Sequence, residues 1–160
     1  MSDIYSVEVT DEAGTASMAQ KLAPFLEKGD VLFLEGTLGA GKTAFARSLI
    51  RSLCGQDIDV PSPTFNLLLT YPAPAAEIYH YDFYRLEDPE EVWELDLEDA
   101  LDDGISLMEW VSRLEDLAPE GALLVTIDIP DETGEARQIT LSGDAAWASR
   151  LAPLKALAHG

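Results

Sequence analysis

Apolar residues recur at helical spacing from about Thr15 to Leu26, where Met18, Leu22, Phe25 and Leu26 share a face. Gly29-Asp30 breaks that pattern, and Val31-Leu32-Phe33-Leu34 is a short continuous apolar run, as in a strand buried on both faces. A glycine-rich stretch follows. Beyond it, Phe45, Leu49 and Leu53 with Ala46 and Ile50 form an amphipathic stripe, predicting a helix that ends near Gly55. Phe65–Thr70, bounded by Pro61, Pro63 and Pro72, and Ile78–Asp82 read as strands that pair as a hairpin across Tyr71–Glu77. Asp88-Pro89-Glu90-Glu91 predicts a helix start, with Asp88 as cap, Pro89 at the first position and acids at the positive end of the dipole. Ile105–Met108, Leu123–Ile129 and Ile139–Leu141 complete the predicted strands. A last helix is expected over Ala145–Leu157, kinked or broken at Pro153. Strands outnumber helices, so the pattern fits a mixed sheet flanked by helices better than a purely alternating parallel one.

No repeat, low-complexity tract or flexible linker divides the 160 residues, and one domain over 1–160 is expected. No apolar run approaches the roughly 20 residues of a membrane-spanning helix. Met1-Ser2-Asp3-Ile4-Tyr5 lacks the basic-then-apolar pattern of a secretory leader, so the expected location is cytoplasmic, with no membrane partner. The single cysteine, Cys54, excludes an internal disulfide and a cysteine metal cage. Thirty acidic residues face ten basic ones, a net charge of −20. Such a field opposes contact with nucleic-acid phosphates, so direct tight binding of RNA or DNA by the isolated chain is not expected. A basic protein surface is an easier partner.

Gly36-Thr37-Leu38-Gly39-Ala40-Gly41-Lys42-Thr43 matches G-x-x-x-x-G-K-[ST] at each fixed position. In such a P-loop, glycines allow a tight turn whose backbone N–H groups converge on phosphate oxygens. The helix starting near Lys42 adds its positive end. Lys42 supplies a point charge for the β- and γ-phosphates, and Thr43 a hydroxyl for Mg²⁺. The preceding apolar strand and the following amphipathic helix are the setting this mechanism requires. An α/β fold of the P-loop NTPase type, binding ATP and Mg²⁺, is the expectation.

A P-loop needs a second metal-holding group, commonly an acid ending a buried strand. Glu109, after Ile105–Met108, is the first candidate; Asp82, after Tyr79–Tyr81, is a candidate for orienting the attacking water. Thr64, in a short loop stiffened by Pro61 and Pro63, is a candidate for sensing the γ-phosphate. His80 reads as a partly buried structural histidine, and with only His159 besides it, a histidine metal site is not expected. The only lysine with an aspartate two residues on is Lys28, before the P-loop, so no guanine-reading motif is present and adenine is favoured by elimination. A stand-alone small-molecule or nucleoside kinase is the alternative, although Arg85, Arg113 and Arg137 do not cluster as a phosphate-neutralising lid would.

Together these motifs resemble the TsaE (YjeE) family of bacterial P-loop ATPases, which act in making threonylcarbamoyladenosine in tRNA. Gly36–Thr43 is similar to the family's G-x-L-G-A-G-K-T, Ser62-Pro63-Thr64-Phe65 to its S-P-T-[FY], and His80–Leu86 to its H-x-D-x-Y-R-L. Asp88-Pro89-Glu90-Glu91, Leu97-Glu98-Asp99 and Glu109-Trp110 also match; Ala44 departs, standing where a second hydroxyl is usual. The resemblance implies a mixed sheet flanked by helices, ATP with Mg²⁺, and a complex with TsaB and TsaD. It implies phosphate and nucleotide contacts by Leu38, Gly39, Ala40, Gly41, Lys42 and Thr43, with Thr43 and Glu109 as metal ligands. Asp82 and Thr64 would serve hydrolysis, Trp110 would pack beside the nucleotide, and Asp11, Glu12 and Thr15 would approach the adenine.

Overall fold

The computed structural model describes residues 2–36, 41–61, 63, 66–131 and 134–154. In chain order the elements are β1 (Ser2–Val9), α1 (Glu12–Leu22), β2 (Val31–Gly36), α2 (Lys42–Cys54), β3 (Leu68–Tyr71) and β4 (Glu77–Asp82). Then follow α3 (Leu97–Asp103), β5 (Gly104–Glu109), β6 (Leu123–Asp128), β7 (Arg137–Gly143) and α4 (Ala145–Arg150). Short 3₁₀ segments lie at Ala23–Phe25, Pro89–Leu95 and Val111–Leu117.

The strands form one seven-stranded sheet in the order β1-β7-β6-β2-β5-β4-β3. β6, β2, β5 and β4 run parallel to their neighbours in that set, whereas β7, β1 and β3 are attached antiparallel. This is the mixed α/β sheet that the strand count predicts. Because strand side chains alternate, the four parallel strands supply both cores at once. Leu32, Leu34, Ile78, Ile105, Leu107, Val125 and Ile127 pack against α1, α2 and α4. Val31, Tyr79, Tyr81 and Met108 pack on the other side against Val92, Leu97, Ala100, Val111 and Leu114. On α2, Phe45, Leu49 and Ile50 are fully buried, each contributing about 1.5–3 kcal/mol of apolar burial. The helix carrying Lys42 and Thr43 is thereby fixed to the sheet. On the other side the Tyr81 hydroxyl donates to the Leu95 carbonyl at 2.8 Å, and burial pushes its pKa far up.

Several elements differ from the sequence expectation. The first helix runs from Glu12 to Leu22 rather than from Thr15 to Leu26, because Asp11 caps it (its carboxylate accepts from Gly14 N at 2.9 Å) and Pro24 ends it. β1 is an additional strand, antiparallel to β7. β3 starts at Leu68, after a turn in which Asn66 N and Leu67 N bond to Pro63 O; the hairpin across 72–76 forms as expected. After Asp88 the chain is 3₁₀, and Asp96 in the left-handed region separates it from α3. α4 stops at Arg150, and a further turn reaches Leu154. The expected extension to Leu157 lies outside the described residues, as does His159.

Candidate functional site

β2 ends at Gly36, whose φ is +136° and whose Cα lies so close to β6 that an added Cβ would stand 1.9 Å from the Ile127 carbonyl oxygen. Thr37, Leu38, Gly39 and Ala40 fall outside the described residues. Gly41 then caps α2 in the left-handed region at φ +112°, with open space where a Cβ would be. Among the described residues no side chain caps α2, and no acid lies in its first turn. Its leading N–H groups and positive dipole end are therefore left for an anion.

The carboxylates reach this point through register. Leu34 of β2 pairs with Glu109 of β5, and Glu109 pairs with Asp82 of β4. Three parallel strands thus finish side by side, at the edge where open α/β sheets bind ligands. Strand alternation puts Asp82, Glu109 and His80 on the same face as Leu34 and Ile78, the face covered by α2. Both acids are 5% exposed. Asp82 Oδ1 accepts from Tyr84 N at 3.0 Å, and His80 Nε2 lies 3.1 Å from Glu109 Oε2. His80, expected to be partly buried and merely structural, is 1% exposed and joined to the candidate metal ligand.

Trp110 follows Glu109 with φ +61°, an uncommon conformation for a bulky residue. That turn brings its ring under the Lys42 ammonium, with Nζ 5.0 Å from the ring centroid. Tyr84 packs on Trp110 at 4.8 Å between centroids, and Arg113 lies over Tyr84 at 5.6 Å. A cleft of about 320 Å³ opens here, lined by Leu34, Glu35, Gly36, Lys42, Trp110 and Ser112 among others. A second, of about 400 Å³, also borders the start of α2, lined by Asp11, Glu12, Thr15, Gly41, Ala44 and Arg137 among others. Thr43 is half-buried on the first turn of α2.

Glu12 and Thr15 thus line one cleft with Gly41; Lys42 and Trp110 line the other, and Glu109 and Asp82 end the strands β5 and β4. Thr64 lies outside the described residues. Arg137, considered in the sequence only against a lid, lines the first helix's cleft; its signal depends on β7 folding back beside β6, which no local pattern gives. Among the described residues no group of three or more His, Cys, Asp or Glu could hold a metal ion. The donor set here, one hydroxyl and one or two carboxylates beside an anion site, suits Mg²⁺, which takes few protein ligands and completes its shell with phosphates and water.

The sequence matches, over residues 9–139, the family described as "Threonylcarbamoyl adenosine biosynthesis protein TsaE". The chain belongs to the TsaE family. The matched stretch contains the loop, α2, Asp82 and Glu109. Relatives named as the tRNA threonylcarbamoyladenosine biosynthesis protein TsaE support this membership. The one from Rickettsia felis is 42% identical over 124 residues, 78% of this chain and 72% of its own. The one from Haemophilus influenzae is 37% identical over 139 residues, 83% of this chain and 85% of its own. The Bacillus subtilis TsaE is 40% identical over 113 residues, 71% of this chain and 70% of its own. In three dimensions the chain is similar to the crystal structure of Bacillus subtilis YdiB, with a TM-score of 0.78 and 27% identity, over 97% of this chain and 96% of that one. The fold is that of a P-loop NTPase, with a mixed sheet flanked by helices. Among the described residues no helix is long and apolar enough to cross a membrane.

Proposed function

We propose that this chain is a cytoplasmic Mg²⁺-dependent ATPase of the threonylcarbamoyladenosine pathway, weakly active alone and stimulated by TsaB and TsaD. The observation that carries this reading is the row Leu34–Glu109–Asp82. It sets two buried carboxylates at one sheet edge, on the face covered by α2, whose N-terminus no described side chain caps. Lys42 moves from the Trp110 ring to the β- and γ-phosphates, and the leading N–H groups of α2 bind the same oxygens. Leu38, Gly39, Ala40 and Gly41 supply the rest of the cradle. Thr43 and Glu109 hold Mg²⁺, which when bound neutralises charge on the β- and γ-phosphate oxygens. Asp82, steadied by Tyr84 N, orients the attacking water, and Thr64 reads the γ-phosphate. Trp110 flanks the nucleotide, while Glu12 and Thr15 lie toward its adenine.

Fast hydrolysis also needs positive charge on the transferring phosphoryl group, often from a partner's arginine. TsaB and TsaD supply or order that charge, and tRNA is held by the assembly, not by this acidic chain. The test is phosphate release by wild type and Asp82→Ala, each with and without TsaB and TsaD. Asp82→Ala is expected to bind ATP normally and lose about 100-fold or more of the stimulated rate, the range of a group acting in the transition state. Rapid hydrolysis by the lone wild-type chain, or full stimulated activity in the variant, would contradict the proposal.

A further inference from the structure

His80 and Glu109 are not opposite one another in the sheet. His80 pairs with Leu107 and Glu109 with Asp82, so the two side chains sit diagonally on the face toward α2. The imidazole spans that diagonal, with Nε2 3.1 Å from Oε2. The pair is withdrawn from solvent, at 1% and 6% side-chain exposure, so water cannot stand in for the bond. The neighbours of His80 across the sheet are Leu69 and Leu107. Packing alone in such a place is served by an aliphatic residue. A histidine there leaves Nδ1 buried without a hydrogen-bond partner among the described residues, an unfavourable arrangement. What offsets it is the bond to Glu109. That bond engages Oε2 and leaves Oε1 outside it.

We propose that His80 is a positioning residue: its Nε2–H fixes the rotamer of the Glu109 carboxylate so that Oε1 is presented to the metal. The inference rests on the Mg·ATP reading above. Carboxylate ligands held by a neighbouring hydrogen bond commonly lose about 10–100-fold in metal affinity when that neighbour is removed.

The test is binding of a fluorescent ATP analogue, first without metal and then across a Mg²⁺ titration. His80→Leu is expected to leave metal-free nucleotide affinity unchanged and to raise the apparent Mg²⁺ dissociation constant about 10–100-fold. His80→Gln, whose amide N–H reaches the same oxygen, restores most of the loss. In a Glu109→Gln background, His80→Leu adds no further loss, because the carboxylate through which it acts is gone. Should His80→Leu fail to fold by circular dichroism, His80→Asn, polar but too short to reach Glu109, takes its place with the same expected result. An unchanged Mg²⁺ constant, or an equal loss in the Glu109→Gln background, would overturn the role of His80 while leaving the Mg·ATP site standing. A wild-type chain that binds the analogue with no dependence on Mg²⁺ would overturn the metal site itself, and this inference with it.

Discussion

Asp30, just before β2, is a carboxylate at 7% exposure that accepts from Glu27 N at 2.7 Å and from Arg150 Nη1 at 2.6 Å. The Arg150 guanidinium also lies 4.2 Å over the Trp147 ring, so one side chain ties α4 to the start of the central strand. Arg150→Ala leaves that carboxylate buried with a single backbone donor, and a loss of about 1–3 kcal/mol is expected. Urea unfolding of both chains measures it; an unchanged midpoint would show the contact to be without consequence. Individual residues of the candidate site divide by how local their chemistry is. Lys42, Thr43, Glu109 and Asp82 are legible because a motif, or the end of an apolar run, marks each one. His80 is not, since a histidine between Tyr79 and Tyr81 reads as core until register brings its ring to Glu109. Arg137 is hidden for the same reason: its cleft is made by α1, α2 and the chain before β7, which are distant in sequence.

Within the elements, the two described glycines of the loop serve opposite needs. Gly41 has open space around its Cβ position and is required only for its φ of +112°. Gly36 combines φ +136° with a Cβ position 1.9 Å from the Ile127 carbonyl oxygen, so any side chain there pushes β2 from β6. Gly36→Ala is therefore expected to weaken nucleotide binding and lower thermal stability together. Gly41→Ala, strained but not clashing, is expected to cost less stability. Thermal melts of the two variants, with and without nucleotide, check this order, and a Gly36→Ala chain as stable as wild type would contradict it. The strands β2 and β4–β6 are legible as apolar runs because they are buried on both faces or nearly so. β1 is not: on the edge, its apolar Ile4, Val7 and Val9 are diluted by exposed polar residues and interrupted by a register shift between Asp3 and Tyr5. The capping signal at Asp88 is real, with Glu90 N donating to Asp88 Oδ1 at 3.0 Å and Glu91 Oε1 accepting from Asp88 N at 3.2 Å. What it starts is a 3₁₀ segment, because Asp96 turns the chain left-handed before a regular helix can extend.

At the scale of the molecule, a mixed sheet with a parallel centre brings the ends of β2, β5 and β4 to one edge, and the helix that follows β2 faces them with its positive end. The surrounding charge of −20 makes the few cations near that edge conspicuous: Lys42 over Trp110 and Arg113 over Tyr84. Its mixed topology is legible from the excess of strands over helices, whereas the strand order is not, because pairing between β2 and β5 joins residues 75 apart in the chain. On the function proposed above, this edge holds Mg·ATP through Lys42. Calorimetric titration of Mg·ATP into wild type and Lys42→Ala tests it most directly. One-site binding by wild type and its loss in a Lys42→Ala chain that melts at the same temperature is the predicted result; equal affinity in the two chains would contradict it.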